Sequence, residues 1–160
     1  MRRYLWVVFM LLAALVQQSY ASESADVKGT WRLLAMEVEV QSTGEMLYPL
    51  GKNPTGYAIF SDSRVWFVLT GEGRKPAKTV EDKAALFESL LAYSGKYRLE
   101  GDKWITSVEV AWNPAWIGTE QSRTFKVEGD HLKVITPWRV MPNWADKGMT
   151  RSINTFELVK

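Results

Sequence analysis

From Gly29 onward the chain alternates apolar and polar residues in short runs, and Gly, Pro, Asn, Asp and Ser stand between the runs. Alternation at period two predicts strands with one buried face, and the separating residues are turn formers. Gly29–Gln41 is the longest run. Trp31, Leu33, Ala35, Val38 and Val40 stand among Arg32, Glu37, Glu39 and Gln41, and the phase slips by one near Met36, the mark of a bulge. After the turn Ser42-Thr43-Gly44-Glu45 come Met46–Leu50 and a loop at Gly51-Lys52-Asn53-Pro54. Thr55–Phe60 and Arg64–Thr70 read as a hairpin about Ser61-Asp62-Ser63, and Gly71–Lys78 as a loop. Further strands are expected at Lys96–Leu99, Lys103–Trp112, Thr119–Glu128, Leu132–Thr136 and Arg151–Val159, with a longer connection over 137–148.

One segment breaks the alternation. In Thr79–Ser94, Ala84, Phe87, Leu90 and Leu91 recur at helical spacing, Thr79 suits an N-cap, and Glu81 and Asp82 suit the positive first turn. Gly95 then reads as the helix stop. A single apolar stripe predicts a helix lying on the rest of the fold, either against its outside or as a lid over an opening. About eight strands with short turns and one inserted helix predict an all-β, antiparallel, eight-stranded barrel.

Composition fits one domain: 160 residues, 46% apolar and 24% charged. Eight Trp, six Tyr and six Phe supply enough apolar area for a substantial core or a lined cavity. The N-terminus changes the reading of charge. Arg2-Arg3 followed by the uncharged apolar run Tyr4–Val16 predicts a secretory signal over 1–21, with 22–160 as the mature domain. The run is shorter than the roughly 20 residues a membrane-spanning helix needs. Ser19-Tyr20-Ala21 suits a cut after Ala21, so a periplasmic or secreted product without a stable membrane anchor is expected. Cleavage takes the basic residues from 20 to 18, level with 18 acidic ones. With no basic block left, neither nucleic acid nor an anionic membrane surface is an expected partner.

The chain has no Cys, and its only His is His131, so neither disulfides nor a metal site is expected. No cofactor is expected either: the sequence carries no phosphate-cradling glycine loop, Ser-nucleophile motif or paired-carboxylate signature.

Longer stretches resemble a largely uncharacterised family of bacterial and fungal lipocalin-like domains. They are the opening Gly29-Thr30-Trp31-Arg32-Leu33, the block Met46–Tyr57, Leu90–Tyr97, Val108-Glu109-Val110 through Asn113–Arg123, and Thr136-Pro137. The resemblance spans nearly the whole mature chain and implies an up-and-down barrel of the lipocalin type. Related domains include binders as well as isomerases or cyclases. Family members often carry His just before the Val-Glu pair, where this chain has Thr106 and Ser107, so chemistry needing an imidazole there is not implied.

Lys103–Glu128 holds the most suggestive mixture of residues. If its turn centres on Ala115–Trp116, Glu109 faces Arg123, Ala111 faces Gln121, Ser107 faces Phe125 and Ile105 faces Val127. Polar groups among apolar ones on one inward face suggest a cavity with a few placed hydrogen bonders, although Glu109–Arg123 reads equally as a buried ion pair without a ligand. The other side, with Trp104, Val108, Val110 and Trp112, is also apolar, so the pattern leaves open which side looks inward. Trp112, Trp116, Trp138 and Trp144 read as an aromatic ring at a barrel mouth or as end packing. Tyr48, Tyr57, Tyr93 and Tyr97 read as hydroxyl donors or as residues bridging core and water. His131, in a Gly-Asp-His turn, reads as a surface residue.

Three functional readings follow. The leading one is an exported protein binding a small hydrophobic or amphipathic molecule in the barrel, with Tyr57, Tyr97, Trp112 and Trp116 as walls and Glu109, Gln121 and Arg123 orienting a polar end. The second is an isomerase or cyclase with Glu109 as general acid or base. The third is a structural module with a filled barrel.

Overall fold

The chain is seen here as a computed structural model that describes residues 26–160, so the expected signal segment and its cut after Ala21 lie outside the described residues. In order, the elements are β1 (Gly29–Val40), β2 (Met46–Leu47), β3 (Thr55–Phe60), β4 (Arg64–Thr70), α1 (Val80–Glu88), β5 (Leu90–Glu100), β6 (Lys103–Ala111), β7 (Glu120–Glu128), β8 (His131–Ile135), β9 (Arg139–Val140) and β10 (Met149–Leu158). Short 3-10 turns lie at Pro114–Trp116 and Pro142–Lys147. The eight long strands follow the order β1-β3-β4-β5-β6-β7-β8-β10, and β10 pairs back onto β1 from Trp31 to Val40. The expected barrel is therefore closed, each long strand pairing with a neighbour on both sides over at least part of its length. The two-residue strands β2 and β9 are additions to β1 and β10 at one end.

The phase slip expected in β1 is present. The β1–β10 register shifts between Leu33 and Ala35, so Trp31 and Leu33 face inward before the bulge and Val38 and Val40 after it. On the other side, β1 pairs with β3 only over Gly29–Arg32 and with β2 at Val38–Glu39. After β2, Leu50 is buried, and its carbonyl accepts from the Glu72 N–H at 3.0 Å, tying this loop to the one after β4.

One end of the barrel is closed by the short turns at 61–63, 101–102 and 129–130, and it is packed solid. Trp31, Phe60, Phe125, Leu132 and Phe156 are buried in this half. Trp104 stacks on Phe67 with ring centroids 5.3 Å apart and meets Phe60 edge-on at 5.0 Å. Both buried indoles satisfy their N–H: Trp104 Nε1 donates to Thr106 Oγ1 at 2.7 Å and Trp31 Nε1 to the Val27 carbonyl at 2.8 Å. The outer wall over β3, β4 and β6 exposes Tyr57, Ile59, Trp66, Val68 and Val110.

The helix is shorter than its periodicity suggests. α1 stops at Glu88, and Leu90 and Leu91 open β5, paired with Thr70 and Leu69 of β4. Apolar spacing at 90–94 is compatible with either state, and β4 offers a complete backbone ladder that a nine-residue helix with no buried side chain cannot match. The start is as expected: Thr79 Oγ1 accepts from the Asp82 N–H at 3.1 Å, and the Asp82 carboxylate accepts from the Thr79 N–H at 3.0 Å. The N–H groups of Lys78 and Thr79 hold that carboxyl below the usual range.

Candidate functional site

The barrel's two ends differ because their loops differ. Opposite the closed end lie the long segments 41–54, 71–89, 112–119 and 137–148, and between them opens a cavity of about 870 Å³. That volume suits one small molecule. One wall is apolar: Met36 and Val38 of β1, Phe67 and Leu69 of β4, and Leu91 and Tyr93 of β5. Trp104 forms part of the floor, and Phe87 of α1, Trp112, Trp116 and Trp144 stand around the mouth. Trp112 and Trp116 meet edge-on at 4.8 Å. With Phe87 and Glu88 in the lining, α1 sits at the rim rather than low on the outer wall.

The other wall is polar, and strand register explains its composition. Arg123 of β7 stands opposite Trp104. Thr124 pairs with Ile135, so Arg123 lies one step from Thr136, whose Oγ1 accepts from the Ser152 N–H at 2.8 Å. Asn154 follows on β10, between Val134 and Met36. Arg123, Thr136, Ser152 and Asn154 thus line adjacent positions on the inner surface, with Arg139 of β9 nearer the mouth.

Arg123 is 6% exposed. Its Nη1 donates to the Ser122 carbonyl at 3.0 Å, and Nη1 and Nη2 each reach Gln121 Oε1 at 3.3 Å. Among the described residues no carboxylate pairs with it, and Glu88 at the rim is the only acid in the lining. Burial pushes the Tyr93 phenol up, against the pull of the Arg123 cation beside it. Burial, then the like charge of Arg123, pushes the Arg139 guanidinium down. Asn154 Oδ1 is buried and has no hydrogen-bond partner.

The pairing expected for Lys103–Glu128 is corrected. Arg123 meets Trp104 rather than Glu109, an offset of five residues, and Gln121 meets Thr106 rather than Ala111. An odd offset exchanges the two faces of one strand. The cause is the turn: the β6–β7 ladder ends where the Val108 N–H donates to the Thr119 carbonyl and the Val108 carbonyl accepts from the Gly118 N–H, and the segment to Ala111 follows β5 alone, past a bulge opposite Ser94 and Gly95. Glu109 consequently points out of the barrel and pairs with Arg64 of β4. Both side chains are more than one-third exposed, 40% and 39%. Glu109→Gln should therefore change stability by less than about 1 kcal/mol in urea unfolding. A much larger loss would mean that the carboxylate is buried after all.

Other expected positions divide. Trp112 and Trp116 line the mouth. Gln121 faces inward but serves Arg123, its Nε2 anchored on Thr119 Oγ1 at 2.9 Å. Tyr57 is corrected to the outer surface, 47% exposed. Tyr97 faces inward at the closed end, away from the cavity; its hydroxyl donates to the Ser61 carbonyl at 2.9 Å and its ring meets Phe60. Trp138 lies against the Arg151 guanidinium at 4.4 Å and is outside the lining, whereas Trp144 is in it. Tyr48 is exposed beneath Lys52, and His131 sits in its turn beside Asp130. Sequence reasoning missed Phe87, Trp104, Arg139 and Asn154 as lining residues. For Asn154 the signal was faint: Thr150, Ser152 and Asn154 put polar residues on the inward face of β10, where hydropathy alternation expects apolar ones.

A family model described as a lipocalin-like domain matches residues 28–159. No curated protein matches the chain.

Proposed function

We propose, from the premise that the chain belongs to the lipocalin-like domain family, that it is an exported carrier of one small, largely apolar molecule. The observation that carries this reading is the cavity of about 870 Å³, apolar on one wall, polar on the other and flanked by tryptophans at its mouth. An apolar lining supplies affinity, and a few fixed polar groups supply orientation. The acid–base reading through Glu109 is set aside, since that carboxylate lies on the outer wall with Arg64. The filled-barrel reading fits only the closed half. Export rests on the signal pattern of residues 1–21.

Titration with fatty acids, retinoids and planar aromatic compounds should quench the tryptophan fluorescence, because Trp104, Trp112, Trp116 and Trp144 all line the cavity. Bound ligand should also raise the thermal midpoint, by mass action on the folded state. No quenching and no thermal shift with any of these compounds would end the carrier reading. For export, the mature product from the periplasm or medium should begin at Ser22; a cytoplasmic product retaining residues 1–21 would overturn it.

A further inference from the structure

We infer that the cavity selects organic acids, seating a carboxylate on the Arg123 guanidinium and an apolar body against Trp104, Trp112 and Trp116. The inference rests on the carrier reading of the same cavity and adds the chemical class of the cargo.

The first argument is unpaired charge. Of the five described arginines outside the cavity, four have a carboxylate, Arg32 with Glu157, Arg64 with Glu109, Arg98 with Glu120 and Arg151 with Glu39, and the exposed Arg74 donates to the Leu86 carbonyl instead. The two arginines that line the cavity, Arg123 and Arg139, have none among the described residues. A cation taken out of water without a counter-charge is strongly unfavourable, more so for Arg123, at 6% exposure, than for a surface group. Its contacts to Gln121 at 3.3 Å are longer than a charge-assisted bond to a carboxylate, typically about 2.7–2.9 Å. Gln121 and Ser122 hold the guanidinium in place without neutralising it.

The second argument is an independent vacancy in the hydrogen bonding of the same wall. Asn154 Oδ1 is buried without a partner. A carboxylate only accepts, so Asn154 would serve it through its NH2 group, with the amide turned so that nitrogen takes the unpartnered position. The third is shape. The polar positions occupy one wall, the other wall is apolar, and the indoles stand in the floor and around the mouth, so a molecule with one charged end and an apolar remainder satisfies both at once. A planar carboxylate matches the two-pronged guanidinium better than a single-point acceptor does. Arg139, exposed and nearer the mouth, adds a second positive charge to the lining.

The experiment compares acids with neutral isosteres: 2-naphthoate and dodecanoate against their primary amides, each titrated into the purified protein by tryptophan fluorescence and calorimetry. Each acid should bind at least about tenfold more tightly than its amide. In Arg123→Met that ratio should fall to about one; in Arg123→Lys it should stay above one but shrink, because the charge remains and the fork is lost. Glu109→Gln, on the outer wall, should leave the ratio as in the parent. Equal binding of acid and amide by the parent protein would overturn the inference while leaving the carrier reading standing. Failure to bind all four compounds would overturn the inference, and the carrier reading falls with it if the retinoids and the wider set of fatty acids and aromatic compounds also fail to bind. The parent comparison needs no variant, and Arg123→Lys serves if Arg123→Met does not fold; an unchanged ratio in either variant would also overturn the inference.

Discussion

Trp104→Ala is expected to remove about 3–5 kcal/mol of folding stability, the range for deleting a large buried aromatic. Trp104 is 1% exposed and sits where the solid half of the barrel meets the cavity. Its ring stacks on Phe67 and abuts Phe60, so removal takes away contacts on two sides and leaves Thr106 Oγ1 without its indole donor. Collapse into the space is opposed by the closed ladder around it, since neighbouring strands cannot approach without breaking backbone pairing. The cavity above would deepen instead. Urea unfolding followed by far-ultraviolet circular dichroism would measure the loss, which is large against a total of roughly 5–15 kcal/mol. Trp116→Ala, at the half-buried mouth, should cost clearly less. Equal losses at the two positions would show that Trp104 is not the support that its contacts describe.

Gly95→Val is expected to cost about 3 kcal/mol or more, or to prevent folding, because the clash is with backbone. A Cβ at Gly95 would stand 1.9 Å from the Ser107 carbonyl oxygen and 2.8 Å from its carbon. No rotamer relieves such a contact; β5 and β6 would have to part at the bulge that turns Glu109 outward and sets the loop carrying Trp112 and Trp116. Gly101→Asn makes the comparison. That turn glycine has φ +62°, which Asn tolerates, and open space around its missing Cβ. Thermal unfolding should show a small shift for Gly101→Asn and a large one for Gly95→Val. Similar shifts would mean that the strands separate easily at the bulge.

These two residues also show how far local pattern reaches. Gly95 reads from sequence as a helix stop, after Leu90 and Leu91 at helical spacing. The reading fails because period and propensity cannot distinguish the end of a helix from the start of a paired strand when the partner strand is unknown. Trp104 reads only as one member of an apolar face, with nothing to say that the face looks inward. Glu109 and Arg123 fail together for a related reason. Their expected juxtaposition depended on where the β6–β7 turn was centred, and an odd error there sends one of them through the wall of the sheet. Asn154 escaped notice because a polar residue on an inward strand face resembles a residue on the outward face until the register of β10 against β1 and β8 is known.

By itself, the sequence determined the class of the fold. Period-two alternation, turn residues between runs, one capped helix and the phase slip in β1 are local signals, written in residues a few positions apart, and they specify strands, turns and their number. The tertiary structure alone decided what is inside. Closure of β10 onto β1, the register of β6 against β7 and the close approach at Gly95 are relations between residues distant along the chain. A shift of one position in any of them exchanges lumen for solvent, and that is why Arg123 became a buried cation with no carboxylate beside it among the described residues while Glu109 became half of a surface ion pair.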